Sequence, residues 1–298
     1  MRNVEVFHYD AFSQYPNKGN PAGVVLDTHQ LSDSDMQSIA YQVGFNETVF
    51  VVESQKSDLR LRYFTPGHEI NLCGHATMAS LYCLKTRGIL GEVSSINIET
   101  NIGILPIHFS LNKDNQIVIR MKQDKPQFIE FNGDRERLAF SMGLTAMEID
   151  EDLPIVYGST GAWTLLIPIK NIESFNKMKP INTLFPEILT ELPKASIHPF
   201  CLQTLDSKSF MHARHFSSPF SGTIEDPVTG TASGVMGAYY LNYVDRNLHS
   251  IHFDVEQGQE VGRDGRVNVE VYRTELDSMD VFISGTAVYV KDLNIEYA

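Results

Sequence analysis

Three cysteines in 298 residues (Cys73, Cys83 and Cys201) are too few and too irregularly spaced for a disulfide framework, which implies a reducing compartment. No apolar run approaches the roughly 20 residues needed to span a bilayer. The opening MRNVEVFHYDAF has neither the continuous apolar core nor the small-residue cleavage site of a secretory leader. A cytoplasmic location without a membrane partner is therefore expected. Basic residues are also scarce: 24 Lys and Arg face 37 Asp and Glu, a formal net charge of −13. So acidic a surface repels phosphate backbones and argues against nucleic acid as a main partner. G-x-G-x-x-G, Walker, G-x-S-x-G and H-E-x-x-H patterns are all missing, so nothing calls for a nucleotide, a serine triad or a zincin site. No cofactor is expected.

What the chain does contain is ample apolar material, 42% hydrophobic residues against 20% charged, enough for one large or two ordinary domains. Alternating stretches predict strands at VEVFHYD, LRLRYFT, QIVIRMK, SIHPFCLQT, RVNVEVYR and MDVFISGTAVYV. Helices are predicted in LSDSDMQSIAYQVG, GHATMASLYCLKTRG, GDRERLAFSMG, NTLFPEILTEL and GTASGVMGAYYLNYV. Strands flanking single helices point to an α+β (mixed α/β) fold rather than a regular βαβ alternation. A charged, turn-rich region places the domain boundary within about 121–131, dividing the chain into halves 1–123 and 124–280.

An internal echo is the most informative pattern. RYFTPGHEINLCGHATMASLYCL, from Arg62, resembles RHFSSPFSGTIEDPVTGTASGVMGAYYL, from Arg214. Each runs from an Arg through a Glu (Glu69, Glu225) to a Gly (Gly74, Gly230) that opens a helix rich in small residues. With the glycines aligned, Cys73 faces Thr229 and His75 faces Thr231. A duplication would give two pseudo-symmetric halves with an active-site cleft between them; chance similarity of two strand–loop–helix units is the alternative.

The first amides of a helix lack internal partners and carry partial positive charge, so Gly74 and Gly230 suit the carboxylate of a small substrate. A helix N-terminus disfavours imidazolium, so a neutral, proton-accepting His75 is expected, although an isolated turn histidine is more often structural. Glu47, in VGFNETVF, enters an apolar strand. It is either a turn or edge residue, or a desolvated carboxylate able to take and return a proton. Glu225 and Asp226 precede Pro227 ahead of the second helix, either as a solvated turn or as working acids. Cys73 could be an activated thiol at its helix terminus. His68, Cys73 and His75 match no familiar metal-ligand spacing, and no metal is expected.

FHYDAF, GNPAGVV, GFNETVF, RYFTP, CGHAT, EDPVTGTASG and EQGQEVGR occur in this order along nearly the whole chain. In these motifs the sequence resembles the PhzF-like family of phenazine biosynthesis. The resemblance implies a diaminopimelate epimerase-like fold: two domains, each a curved sheet around a central helix. The last strand, about 281–298, would return to the first domain, and a homodimer would be common. It implies Glu47 as proton shuttle with His75 and Asp226 as polar partners, and Gly74, Gly230, Thr231 and Asn20 as contacts to a small carboxylate-bearing substrate. The family chemistry is a cofactor-free isomerisation of a dihydro-hydroxyanthranilate. Asn46 and Thr231 stand where Ser is common, and GRDG replaces the usual GRPS.

Three functions follow in order. The first is a cofactor-independent isomerase moving a proton between carbons. The second is a one-thiol epimerase using Cys73, which lacks a second thiol because Thr229 holds the matching position. The third is a silent anion-binding or scaffold protein.

Overall fold

In RNVEVFHYDA the apolar positions recur with the strand period, and Arg2–Ala11 is a strand with antiparallel neighbours on both sides, Asn20–Val25 and Ala287–Tyr297. The structure, a computed structural model, describes residues 2–274 and 278–297. Contacts divide the chain into two units: Met1–Lys122 with Ser284–Ala298, and Gln123–Ile283. MDVFISGTAVYV forms two strands, Met279–Gly285 and Ala287–Tyr297. The break falls at Thr286, whose carbonyl accepts the Phe12 N–H at 2.8 Å.

In the first unit the sheet continues from Asn20–Val25 to a parallel Glu47–Val52, then through Leu59–Phe64, Ser95–Thr100, Gly103–Leu111 and Ile117–Lys122. Helix Gly74–Thr86 is buried almost all round, from His75 through Leu84, because its small and apolar residues leave no polar face to turn outward. Helix Asp33–Val43 is amphipathic instead and packs Met36, Ile39 and Ala40 against Val4, Val25 and Phe50. Ser32 and Asp35 close a capping box at its start, and Gly44, at φ 71°, ends it in the left-handed conformation. That stop turns the chain so that Glu47 opens a strand three residues later.

In the second unit, Gln127–Glu130, Val156–Ser159, Trp163–Pro168, Ser196–Cys201, Met211–Ala213, Ser250–Gln257 and Gly265–Arg273 pair in that order, with two parallel joints. Its central helix, Gly230–Tyr239, is likewise buried and runs into a single π turn, Tyr240–Val244. At Gly237 a Cβ would lie 2.6 Å from Val269, so glycine lets the helix sit close to the sheet.

NTLFPEILTEL falls short of the helix predicted for it. It gives a 3-10 turn, Asn182–Leu184, and one α turn, Phe185–Ile188. The Asn182 amide donates to the carbonyls of Ser217 and Ile224, tying the segment to a neighbouring loop. The fold is thus α+β, with a mixed sheet and a central helix in each unit. Among the described residues no helix is long and apolar enough to cross a membrane.

Candidate active site

Glu47 heads its strand beside Ala22, and His75 is the second residue of the central helix of the same unit. Their side chains meet: His75 Nε2 lies 3.0 Å from Glu47 Oε2, with the histidine 6% and the glutamate 15% exposed. Cys73 lies against the same ring, Sγ 3.3 Å from Nδ1 and 3.9 Å from Nε2. As N-cap its side chain makes no capping hydrogen bond, while Thr77 donates its hydroxyl to the Cys73 carbonyl at 2.7 Å.

The neutral His75 expected from the helix terminus is corrected here. Burial opposes a charged ring, but the neighbouring Cys73 and Glu47 outweigh it and hold the pKa well above 6.5. Burial pushes the Cys73 thiol up to about 11. Its sulfur is therefore protonated at neutral pH.

Glu47, Cys73 and His75 each offer a donor atom within 4.8 Å of the others, a set able to hold a zinc-like ion. His68 is not in this cluster; it is exposed and bonds within the Thr65–His68 turn. Asn20 is fully buried at the start of its strand opposite Ala11. The preceding Gly19, at φ 67°, leaves no room for a side chain, since a Cβ there would lie 2.2 Å from the Ala11 carbonyl.

In the second unit, Asp226 precedes the helix that Gly230 opens. Its Oδ2 accepts the Thr229 hydroxyl at 2.5 Å, and its own N–H donates to the His215 carbonyl at 2.9 Å. Thr231 is in the first helical turn, and its carbonyl accepts the Thr160 hydroxyl at 3.0 Å. Two residues given no site role from the sequence belong to this arrangement: Thr229, noted there only as the counterpart of Cys73, and Gln257. Gln257 lies in EQGQEVGR, a motif used above only for family likeness.

The internal echo extends to atomic detail within each unit. Arg62 clasps Glu69 (Nε–Oε1 2.9 Å, Nη2–Oε2 2.8 Å), and Arg214 clasps Glu225 with the same atom pairs. Phe64 pairs with Glu69 in the ladder, and Phe216 with Glu225. Ser233 bonds the Thr229 carbonyl as Thr77 bonds that of Cys73.

A family model described as phenazine biosynthesis-like protein, PhzC-PhzF, matches residues 9–292. The chain belongs to this family. A PhzF-family relative named "Uncharacterized isomerase YfhB", from Bacillus subtilis, is 52% identical over 289 residues, 97% of each chain. A crystal structure of the Bacillus anthracis phenazine biosynthesis protein of the PhzF family is 54% identical, covers 100% of both chains and gives a TM-score of 0.97. More distantly, trans-2,3-dihydro-3-hydroxyanthranilate isomerase of Pseudomonas aeruginosa is 26% identical over 260 residues, 87% of each chain.

Proposed function

We propose that this PhzF-family isomerase moves a proton between carbons of a small carboxylate-bearing substrate without a cofactor, with Glu47 as the group that takes and returns it. The observation that carries this reading is the 3.0 Å contact between Glu47 and a buried His75 at the head of a central helix. A carboxylate can remove a proton from one carbon, hold it as a carboxylic acid and deliver it to another, leaving the rest of the substrate to shift its double bond. His75 keeps the basic form in place, and the substrate carboxylate is assigned to the amides at Gly74 and at Gly230–Thr231. Asp226 and Asn20 join as polar contacts on the family resemblance.

Trans-2,3-dihydro-3-hydroxyanthranilate, named for the Pseudomonas relative, is the first probe. In deuterated water the product should carry solvent deuterium at the protonated carbon, and Glu47→Gln should lower that rate at least about a hundredfold. Exchange by Glu47→Gln at the wild-type rate would remove Glu47 from the role, and binding without exchange would favour the silent reading.

The Cys73–His75 contact favours one second reading, a one-thiol epimerase. It ranks behind because a thiol held at about 11 is a poor base at neutral pH.

A further inference from the structure

Gln257 is 1% exposed at the end of strand Ser250–Gln257, and its side-chain amide is spent on a single turn. Its Oε1 accepts the Thr229 N–H at 3.1 Å, and its Nε2 donates to the Asp226 carbonyl at 2.8 Å. One planar group thus bridges both ends of Asp226–Thr229. The next residue, Gly258, has φ 95°, and a Cβ there would lie 2.8 Å from the Pro227 carbonyl in the middle of the same turn. EQG is therefore the seat on which DPVTG rests.

The seat has a chemical consequence. A threonine at an N-cap ordinarily turns its oxygen back to accept an N–H of the first helical turn. Thr229 makes no such bond; its hydroxyl donates to Asp226 Oδ2 at 2.5 Å, and Gln257 Nε2 lies 3.4 Å from that hydroxyl's own Oγ1. The Asp226 carboxylate is oriented as a result, and the first amides of the helix are left without a cap from their own N-cap residue.

We propose that Gln257 is a positioning residue for the isomerisation: by spanning Asp226–Thr229 it turns the Thr229 hydroxyl onto Asp226 and keeps the helix amides at Gly230 and Thr231 open to the substrate. This rests on the role given above to Asp226, Gly230 and Thr231. A positional error of about 1 Å in such a group costs on the order of a hundredfold in rate.

The test uses the full chain, with trans-2,3-dihydro-3-hydroxyanthranilate as probe, measuring kcat and KM in deuterated water. Amide exchange across residues 226–231 is followed without substrate. Gln257→Leu should lower kcat/KM by about a hundredfold and speed exchange of the 226–231 amides. Should that variant fold poorly, the half-buried Thr229 gives a gentler probe: Thr229→Val should lose activity and Thr229→Ser should regain it, a rescue by hydroxyl that packing alone does not produce. In the background of Asp226→Asn, Gln257→Leu should add clearly less than its full effect, since part of that effect passes through the Asp226 carboxylate.

The proposal is overturned if Thr229→Ser is as poor as Thr229→Val, if the Gln257 and Asp226 effects multiply in full, or if exchange across 226–231 is unchanged in Gln257→Leu. Wild-type turnover by Asp226→Asn would instead overturn the role of Asp226. Faster exchange in Gln257→Leu would then still support the seat itself.

Discussion

Arg214 grips Glu225 through two parallel hydrogen bonds, Nε to Oε1 at 2.8 Å and Nη2 to Oε2 at 2.6 Å, with both side chains at most 10% exposed. The remaining arginine nitrogen, Nη1, donates to the carbonyls of Phe175 and Met178, so the fork is satisfied on every side. Its counterpart, Arg62 with Glu69, is more open and reaches Asp33 instead.

Arg214→Met should destabilise the chain by about 3–5 kcal/mol, because Glu225 is left buried without its partner. Adding Glu225→Gln should recover much of that loss. Arg62→Met should cost less, Glu69 being 28% exposed. Denaturant unfolding of the single and double variants measures the coupling, and an additive cycle at Arg214–Glu225 would contradict the assignment.

His212 donates from both ring nitrogens, to Glu256 and to Glu260, each at 2.9 Å, and is fully buried. Burial opposes its charge, but the two carboxylates raise its pKa above 6.5. A raised pKa means stabilisation that is complete below 6.5 and is lost as pH climbs through the folded-state value. For Glu256 and Glu260 burial pushes upward, yet His212 and the hydrogen bonds they accept leave both below 4.5, so their contribution is lost on acidification below 4.5. The stability gap between wild type and His212→Gln should therefore be widest between 4.5 and 6.5 and shrink on both sides, as read by unfolding midpoints across pH.

At Gly237 a new methyl would lie 2.6 Å from Val269 and 2.8 Å from Val271. Gly237→Ala gains helix propensity but forces the helix off its sheet, and overpacking wins, with an expected loss of about 1–3 kcal/mol. A thermal midpoint equal to or above wild type would show that the sheet yields instead.

Cys73 is buried, and its thiol is raised to about 11. Iodoacetamide should label it slowly in the native chain and fast after unfolding, and Cys73→Ala should retain measurable proton exchange on the probe substrate. Abolished exchange in that variant would promote the epimerase reading over the isomerase one.

Much of the architecture is legible in local pattern. Ser32, Asp35 and Gly44 announce their helix through caps that act within a few residues, and the small, uncharged residues of GHATMASLYCL suit a buried one. Alternation finds the strands with one wet face. It misses short, doubly buried ones such as Val156–Ser159 and Met211–Ala213, where burial on both faces leaves no alternation to read. NTLFPEILTEL misleads because its apolar spacing says helix, while Asn182 is tied to distant carbonyls. In the candidate site, residue types and spacing mark Glu47 and His75 separately and only the family resemblance pairs them; the fold puts them 3.0 Å apart.

The sequence alone determined the α+β class, the two helix starts at Gly74 and Gly230, and the Arg–Glu–Gly echo. These rest on periodicity, capping and spacing, forces that act between near neighbours. Only the tertiary structure decided the meeting of His75 with Glu47, the seating of Asp226–Thr229 on Gln257 and the double grip of His212. Each depends on burial and on a partner at least 28 residues away in the chain, and Coulomb and hydrogen-bond energies are set by distance in space and by the loss of water.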